Sequence, residues 1–173
     1  MTDLPGTGRA FAGTALAVAT AGLAAALTHQ PWLFPSLGPA IMLHMQKPEA
    51  PESSPRNTLV GHAVGLVAGY LSLVVCGLTG HPSVLREGVG GARIVAAALS
   101  LALTLLVLML LGMPHPPAGA TTLIVSLGLL HLPGQLVVVF AAVVLITAVG
   151  WLWNRATGAR MPLWRSDERE PVG

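Results

Sequence analysis

Apolar positions fall into six blocks along the chain. Four are long and unbroken, at 10–27, 58–78, 94–111 and 136–153, and none contains Asp, Glu, Lys or Arg. Each approaches or reaches the ~20 residues a helix needs to cross ~30 Å of hydrocarbon. All four read as spanning helices. The other two blocks, PWLFPSLGPAIMLHM at 31–45 and MPHPPAGATTLIVSLGLL at 113–130, each open with three prolines. Proline removes a backbone donor and pushes the residue before it towards extended geometry. Each block should therefore start extended and turn into a half-helix, near Pro39 in the first and near Pro117 in the second, where a missing N–H costs nothing. Non-helical backbone at membrane depth survives only where protein or a watery cavity covers it, so these two blocks are the places to look for a site.

The order helix, broken segment, helix occurs twice. The expected architecture is all-α and membrane-integral: four full spanning helices plus two proline-broken half-helix segments, in two pseudo-repeats. Gly38-Pro39-Ala40 in the first repeat corresponds to Ala118-Gly119-Ala120 in the second. Paired interruptions in matching halves are a transporter signature. Seven extended residues cover roughly 20 Å and nine helical ones roughly 14 Å, so a broken segment is long enough to cross. Six crossings, three per half and inverted, is the preferred count, with four the alternative. Either count divides the nine basic residues seven to two, with the majority on the side of the termini. That bias favours cytoplasmic termini. The domain reading is a tail at 1–9, a membrane domain at 10–155 and a second tail at 156–173, both tails cytoplasmic. An Ala/Gly-rich composition points to a bacterial inner membrane. Gly61, Gly65 and Gly69, like Gly13, Ala17, Ala21 and Ala25, repeat every four residues and suit close helix packing in lipid.

Composition sharpens this picture. With 53% hydrophobic and 9% charged residues in 173, and a mean hydropathy of +0.72, the chain cannot build a water-soluble surface. A net charge of +2 is too small for a nucleic-acid reader. The lone Cys76 lies in an apolar block and forms no internal disulfide. The first block is too long for the apolar core of a secretion signal. No nucleophile triad, phosphate loop or dinucleotide fingerprint is present, so no enzyme activity and no cofactor are expected.

All seven carboxylates, Asp3, Glu49, Glu52, Glu87, Asp167, Glu168 and Glu170, lie in loops or tails. Cation carriers usually bury such groups, so an anion or a small neutral molecule is the better cargo. Half-helix N-termini carry partial positive charge and free N–H groups, which makes Gly38, Pro39 and Ala40, and Pro117, Ala118, Gly119 and Ala120, candidate anion contacts. Thr121 and Thr122 could add hydroxyls, though bonding to their own helix carbonyls is at least as expected. His62, read as starting a helix, and His115, in the proline motif, are the two of six histidines placed to enter a cavity, and His115 suits a proton relay. Arg56-Asn57 precedes the second spanning block, and a guanidinium there could attract an anion. Arg93 reads as an interfacial anchor. The wide spacing of the histidines and the lack of thiol or carboxylate partners argue against a metal site.

Three stretches carry a family resemblance: PSLGPAIML at 35–43, SSPRNTLVGH at 53–62 and HPPAGATTLI at 115–124. In order and spacing they resemble the signature stretches of the HPP family of integral membrane proteins, named for the triplet that stands here as His115-Pro116-Pro117. Plastid and cyanobacterial relatives are associated with nitrite transport. The resemblance implies a multi-spanning membrane protein that moves a small anion, with nitrite the leading candidate, and carries over His115, Pro116, Pro117, Gly119, Arg56, Asn57 and His62 as functional positions. Relatives often have Gly-Ala-Ser where this chain has Gly38-Pro39-Ala40, which removes a serine hydroxyl from that motif. The expected partners are the lipid bilayer and the anion, with homo-oligomerisation open. The rival functions are a structural or sensory membrane domain that moves nothing and a His-based membrane metalloenzyme.

Overall fold

The computed structural model describes residues 4–165, and all regular elements among the described residues are helices, with no strand. The helices are α1 (Leu4–Thr28), α2 (Leu37–Gln46), α3 (Pro55–Val75), the single turn α4 (Val84–Glu87), α5 (Gly91–Leu110), α6 (Pro117–Ser126) and α7 (Pro133–Ala156). A 3-10 turn, Pro51–Ser53, precedes α3. Four helices, α1, α3, α5 and α7, are long and apolar enough to cross a membrane. The half-helices α2 and α6 are 10 residues each, or about 15 Å, half a bilayer core.

Local chemistry sets the boundaries. α6 starts at Pro117, where the proline rule places it, and α2 starts at Leu37, two residues ahead of the Pro39 expectation. A turn bond from the Leu37 N–H to the Phe34 carbonyl, 3.1 Å, closes the first turn of α2 early and leaves Pro39 inside it, still within the first turn, where an absent N–H is tolerated. α3 likewise begins before its apolar block. Ser54 caps it by accepting from the Asn57 N–H at 3.3 Å, and Pro55 occupies the first helical position. Arg56 and Asn57 therefore sit in the first turn of α3 rather than ahead of it, and His62 lies two turns in. The same helix stops at Val75 because Gly77 adopts a left-handed φ of 69°, with the Leu78 N–H reaching back to the Leu73 carbonyl at 2.8 Å. Gly112 ends α5 in the same way: its φ is 59°, and the Met113 N–H bonds the Leu108 carbonyl at 3.0 Å.

The two halves, α1–α2–α3 and α5–α6–α7, do not fold as separate lobes. α3 packs chiefly on α5 and α6, and α7 packs on α1 and α2; α3 and α7 then meet each other. Each half thus lends its third helix to the other, and the contact pattern is unchanged when the halves are exchanged. Chain directions follow from the bonds. Arg9 near the start of α1 donates to Asn154 near the end of α7, and Asn154 also donates to the His44 carbonyl near the end of α2. At the start of α3, the Arg56 N–H bonds the Trp164 carbonyl beyond α7. Arg93 near the start of α5 reaches the Ser126 carbonyl at the end of α6. The α1 and α3 starts thus share one end of the bundle with the α2, α5 and α7 ends, and α6 finishes at the opposite end. Both broken segments run from one end to the other, giving six passes in two inverted sets of three.

Glycine makes the central contact possible. A Cβ placed on Gly61 would lie 2.8 Å from the His115 Cβ, one on Gly65 2.8 Å from the Ala118 carbonyl oxygen, and one on Gly69 2.8 Å from the Val125 Cβ. The four-residue glycine stripe of α3 is therefore the bed in which α6 lies. On the other side, Gly13 of α1 sits against Trp153 and Met45, with Ala17 and Ala21 buried beside it.

Candidate functional site

Where α2 begins, it touches α6. Ser36, the residue before α2, is buried and its Oγ lies 2.7 Å from Thr121 Oγ1. Thr121 Oγ1 is also 2.7 Å from Nδ1 of His62 on α3. The His62 ring meets the His115 ring edge to face, with centroids 4.9 Å apart. His115 in turn donates from Nδ1 to the Glu52 backbone carbonyl at 2.8 Å, since a carbonyl oxygen can only accept. A continuous polar line thus runs from the 3-10 turn at one end of the bundle to the junction of the two half-helices. One helical turn before His62, Thr58 Oγ1 stands 3.0 Å from Nε2 of His44 on α2.

Burial at this junction is nearly complete. Ser36, His44, Thr58, His62 and Thr121 expose nothing, and His115 exposes 2%. Three ring nitrogens, His44 Nδ1, His62 Nε2 and His115 Nε2, are buried with no hydrogen-bond partner. Buried polar atoms are normally paired, so the two Nε2 atoms on the touching His62 and His115 rings call for an explanation, whereas His44 Nδ1 lies against Gly150 of α7. The described carboxylates, Glu49, Glu52 and Glu87, all lie outside the spanning and half-helices. Among the described residues no three of His, Cys, Asp or Glu converge as metal ligands would.

The half-helix starts differ from expectation in one respect. Their free N–H groups are largely spent. In α6, Pro116 and Pro117 have none, and the Ala118 and Gly119 N–H groups bond the His115 and Pro116 carbonyls at 3.0 and 3.1 Å. In α2, Leu37 and Gly38 bond the Phe34 and Pro35 carbonyls, and Pro39 has no N–H. The helix dipoles still point at the junction, but the donors it offers are side chains. Around Gly38 there is open space and Pro39 is exposed, and Ala40 is buried in the core, so none of the bonds of the junction comes from the Gly38-Pro39-Ala40 motif.

The other singled-out positions divide clearly. His115, Pro116 and Gly119 line a cleft of about 590 Å³ together with Leu101, Thr104 and Leu108 of α5, and Pro117, Ala118 and Ala120 form the turn behind it. Asn57 donates from Nδ2 to the Pro114 carbonyl at 3.3 Å, which steadies the His-Pro-Pro stretch. Arg56 is half-buried in the first turn of α3, and none of the bonds of the junction involves it. Thr122 does what a helix threonine commonly does, bonding the Ala118 carbonyl at 3.0 Å and Thr104 at 2.8 Å, whereas its neighbour Thr121 turns to the junction. Arg93 is not the interfacial anchor expected of it. It is 4% exposed and donates to the Ser126 and Pro82 carbonyls at 3.2 and 2.8 Å, a cation placed at the negative end of α6.

Sequence reasoning missed Ser36, His44, Thr58 and the Glu52 carbonyl. A signal for Thr58 was present, because it lies four residues before His62 and so on the same helix face. Ser36 was visible as the polar residue just before a half-helix. Nothing local marks the Glu52 carbonyl, which is placed by tertiary packing alone.

Comparison with known proteins yields one family. The model of the HPP transmembrane region matches residues 2–162. No curated protein and no solved structure matches the chain.

Proposed function

The chain belongs to the HPP family of integral membrane proteins, and from that footing we propose that it carries a small inorganic anion, nitrite first among the candidates, across the membrane. The observation that bears most weight is the pair of buried, unpartnered Nε2 atoms of His62 and His115 where two half-helices meet. A ligand of a few atoms could be held there by ring N–H groups, with Ser36 and Thr121 behind His62 and the dipoles of α2 and α6 adding positive potential. The lack of carboxylates in the described membrane segments favours an anion over a cation.

Inverted halves that exchange their third helices suit alternating access, since one set of three elements can rock against the other around a fixed site. Six described basic residues, Arg9, Lys47, Arg56, Arg155, Arg160 and Arg165, lie at the end of the bundle where α1 begins and α7 ends, against Arg86 and Arg93 at the other. That asymmetry supports cytoplasmic termini.

Purified protein in liposomes tests the proposal. Nitrite entry above that of protein-free vesicles, and faster than entry of chloride, is the expected result. Absence of entry for nitrite, nitrate and formate alike would dismiss it.

A further inference from the structure

The bond that fixes His115 also decides in which form it can meet an anion. Its Nδ1 donates to the Glu52 carbonyl at 2.8 Å, so the neutral ring carries its one proton on Nδ1. The buried, unpartnered Nε2 is then a bare lone pair. A lone pair repels an anion, which has no proton to share. His62 is less constrained. Its Nδ1 faces the Thr121 hydroxyl, which has a second neighbour in Ser36, so Thr121 can donate to the ring and leave His62 with its proton on Nε2. The neutral pair therefore offers one donor and one acceptor, a set that suits water or an undissociated acid and not a bare anion.

We infer that the His62–His115 pair takes up its anion together with one proton, held on His115 Nε2, so that anion and proton move as a neutral unit. The inference rests on the anion-transport reading above and goes beyond it by specifying the coupling. Atoms balance without a further reactant: a proton from the aqueous phase adds to Nε2, the imidazolium N–H then bonds the anion, and release of the anion returns the proton to water. The Nδ1–H bond to Glu52 is kept throughout. The cleft lined by His115, Pro116 and Gly119 gives that ring its approach.

No neighbouring group removes the need for the proton. The titratable groups facing the pair are His44 on α2, within electrostatic reach of both rings, and Glu52 on the 3-10 turn, beside His115. The α5 and α6 residues along the cleft are apolar or hydroxyl-bearing, and α3 offers Thr58 besides His62. Arg56, the basic residue of the first turn of α3, lies outside the bonds of the junction. A second donor for the anion thus has to come from protonation of His115 itself.

The test uses liposomes holding a pH-sensitive dye, with an inward nitrite gradient and a potassium diffusion potential set by valinomycin. Leakage of nitrous acid is subtracted from protein-free vesicles. The expected result is one proton entering per nitrite and uptake indifferent to the imposed potential. Uptake that follows the potential, with no acidification of the lumen, would overturn the coupling and leave the transport reading standing. No uptake at all would remove both. His115→Asn adds an independent check, since its amide still reaches the Glu52 carbonyl while Nε2 is gone. That variant should elute as a monodisperse species and lose uptake by about tenfold or more. Unchanged uptake with unchanged proton stoichiometry in His115→Asn would also overturn the inference.

Discussion

The two half-helices share a backbone plan and differ in chemistry. α2 and α6 are each 10 residues long, each follows a proline-rich stretch, and each lies against the third helix of the opposite half. Yet α6 is embedded in the glycine stripe of α3 and brings His115 and Thr121 into the junction, while α2 contributes Ser36 at its start and His44 near its end and leaves Pro39 exposed. Even the anchors of their far ends differ: Arg93 holds the Ser126 carbonyl of α6, and Asn154 holds the His44 carbonyl of α2. An inverted repeat can thus keep its architecture while its two half-helices bring different side chains to the junction.

The contrast can be broken most severely at the α3–α6 contact. Gly65→Leu would drive a side chain into the Ala118 carbonyl and Thr122 Oγ1, each 2.8 Å from the new Cβ. Overpacking against rigid backbone should cost about 3 kcal/mol, seen as a large fall in the midpoint of thermal aggregation in detergent. Next is Arg93→Ala, which removes a donor from the buried Ser126 carbonyl and from the part-buried Pro82 carbonyl. A loss of about 2 kcal/mol is expected, with α6 frayed at its far end, by the same thermal assay. The account would be in trouble if this variant were as stable as the parent.

Neighbouring threonines sharpen the comparison. Thr121→Val breaks both the Ser36 and the His62 bonds and should cost about 1–2 kcal/mol together with most of the nitrite flux. Thr122→Val loses bonds to Thr104 and Ala118, costs a similar or smaller amount of stability, and should keep the flux. Equal flux in the two variants would remove the distinction between the junction and the packing behind it. The smallest effect belongs to α2. Gly38→Ala places a methyl in open space and should be neutral or stabilising by about 0.5–1 kcal/mol, with transport retained.

Much of this was legible in the sequence because lipid imposes simple rules. Length and the absence of charge identify α1, α3, α5 and α7, and prolines mark the entry to α2 and α6. The errors are instructive. Arg56 and Asn57 join α3 because Ser54 and Pro55 make a helix start ahead of the apolar block, and capping chemistry is invisible to a count of apolar residues. Arg93 looked like an interfacial arginine, since nothing in its neighbourhood along the chain reveals that the end of α6 arrives over it. The site was half legible. His62 and His115 stood out as histidines in an apolar setting, but their pairing, and the role of Ser36 and Thr58, depend on the exchange of third helices between the halves.

The site is tested most directly by nitrogen magnetic resonance of histidine-labelled protein in lipid, titrated with nitrite. The account predicts that the Nε2 resonances of His62 and His115 move together on addition of nitrite, while those of the outlying His29, His81 and His131 stay in place. Transport of nitrite with the resonances of His62 and His115 unmoved would contradict it.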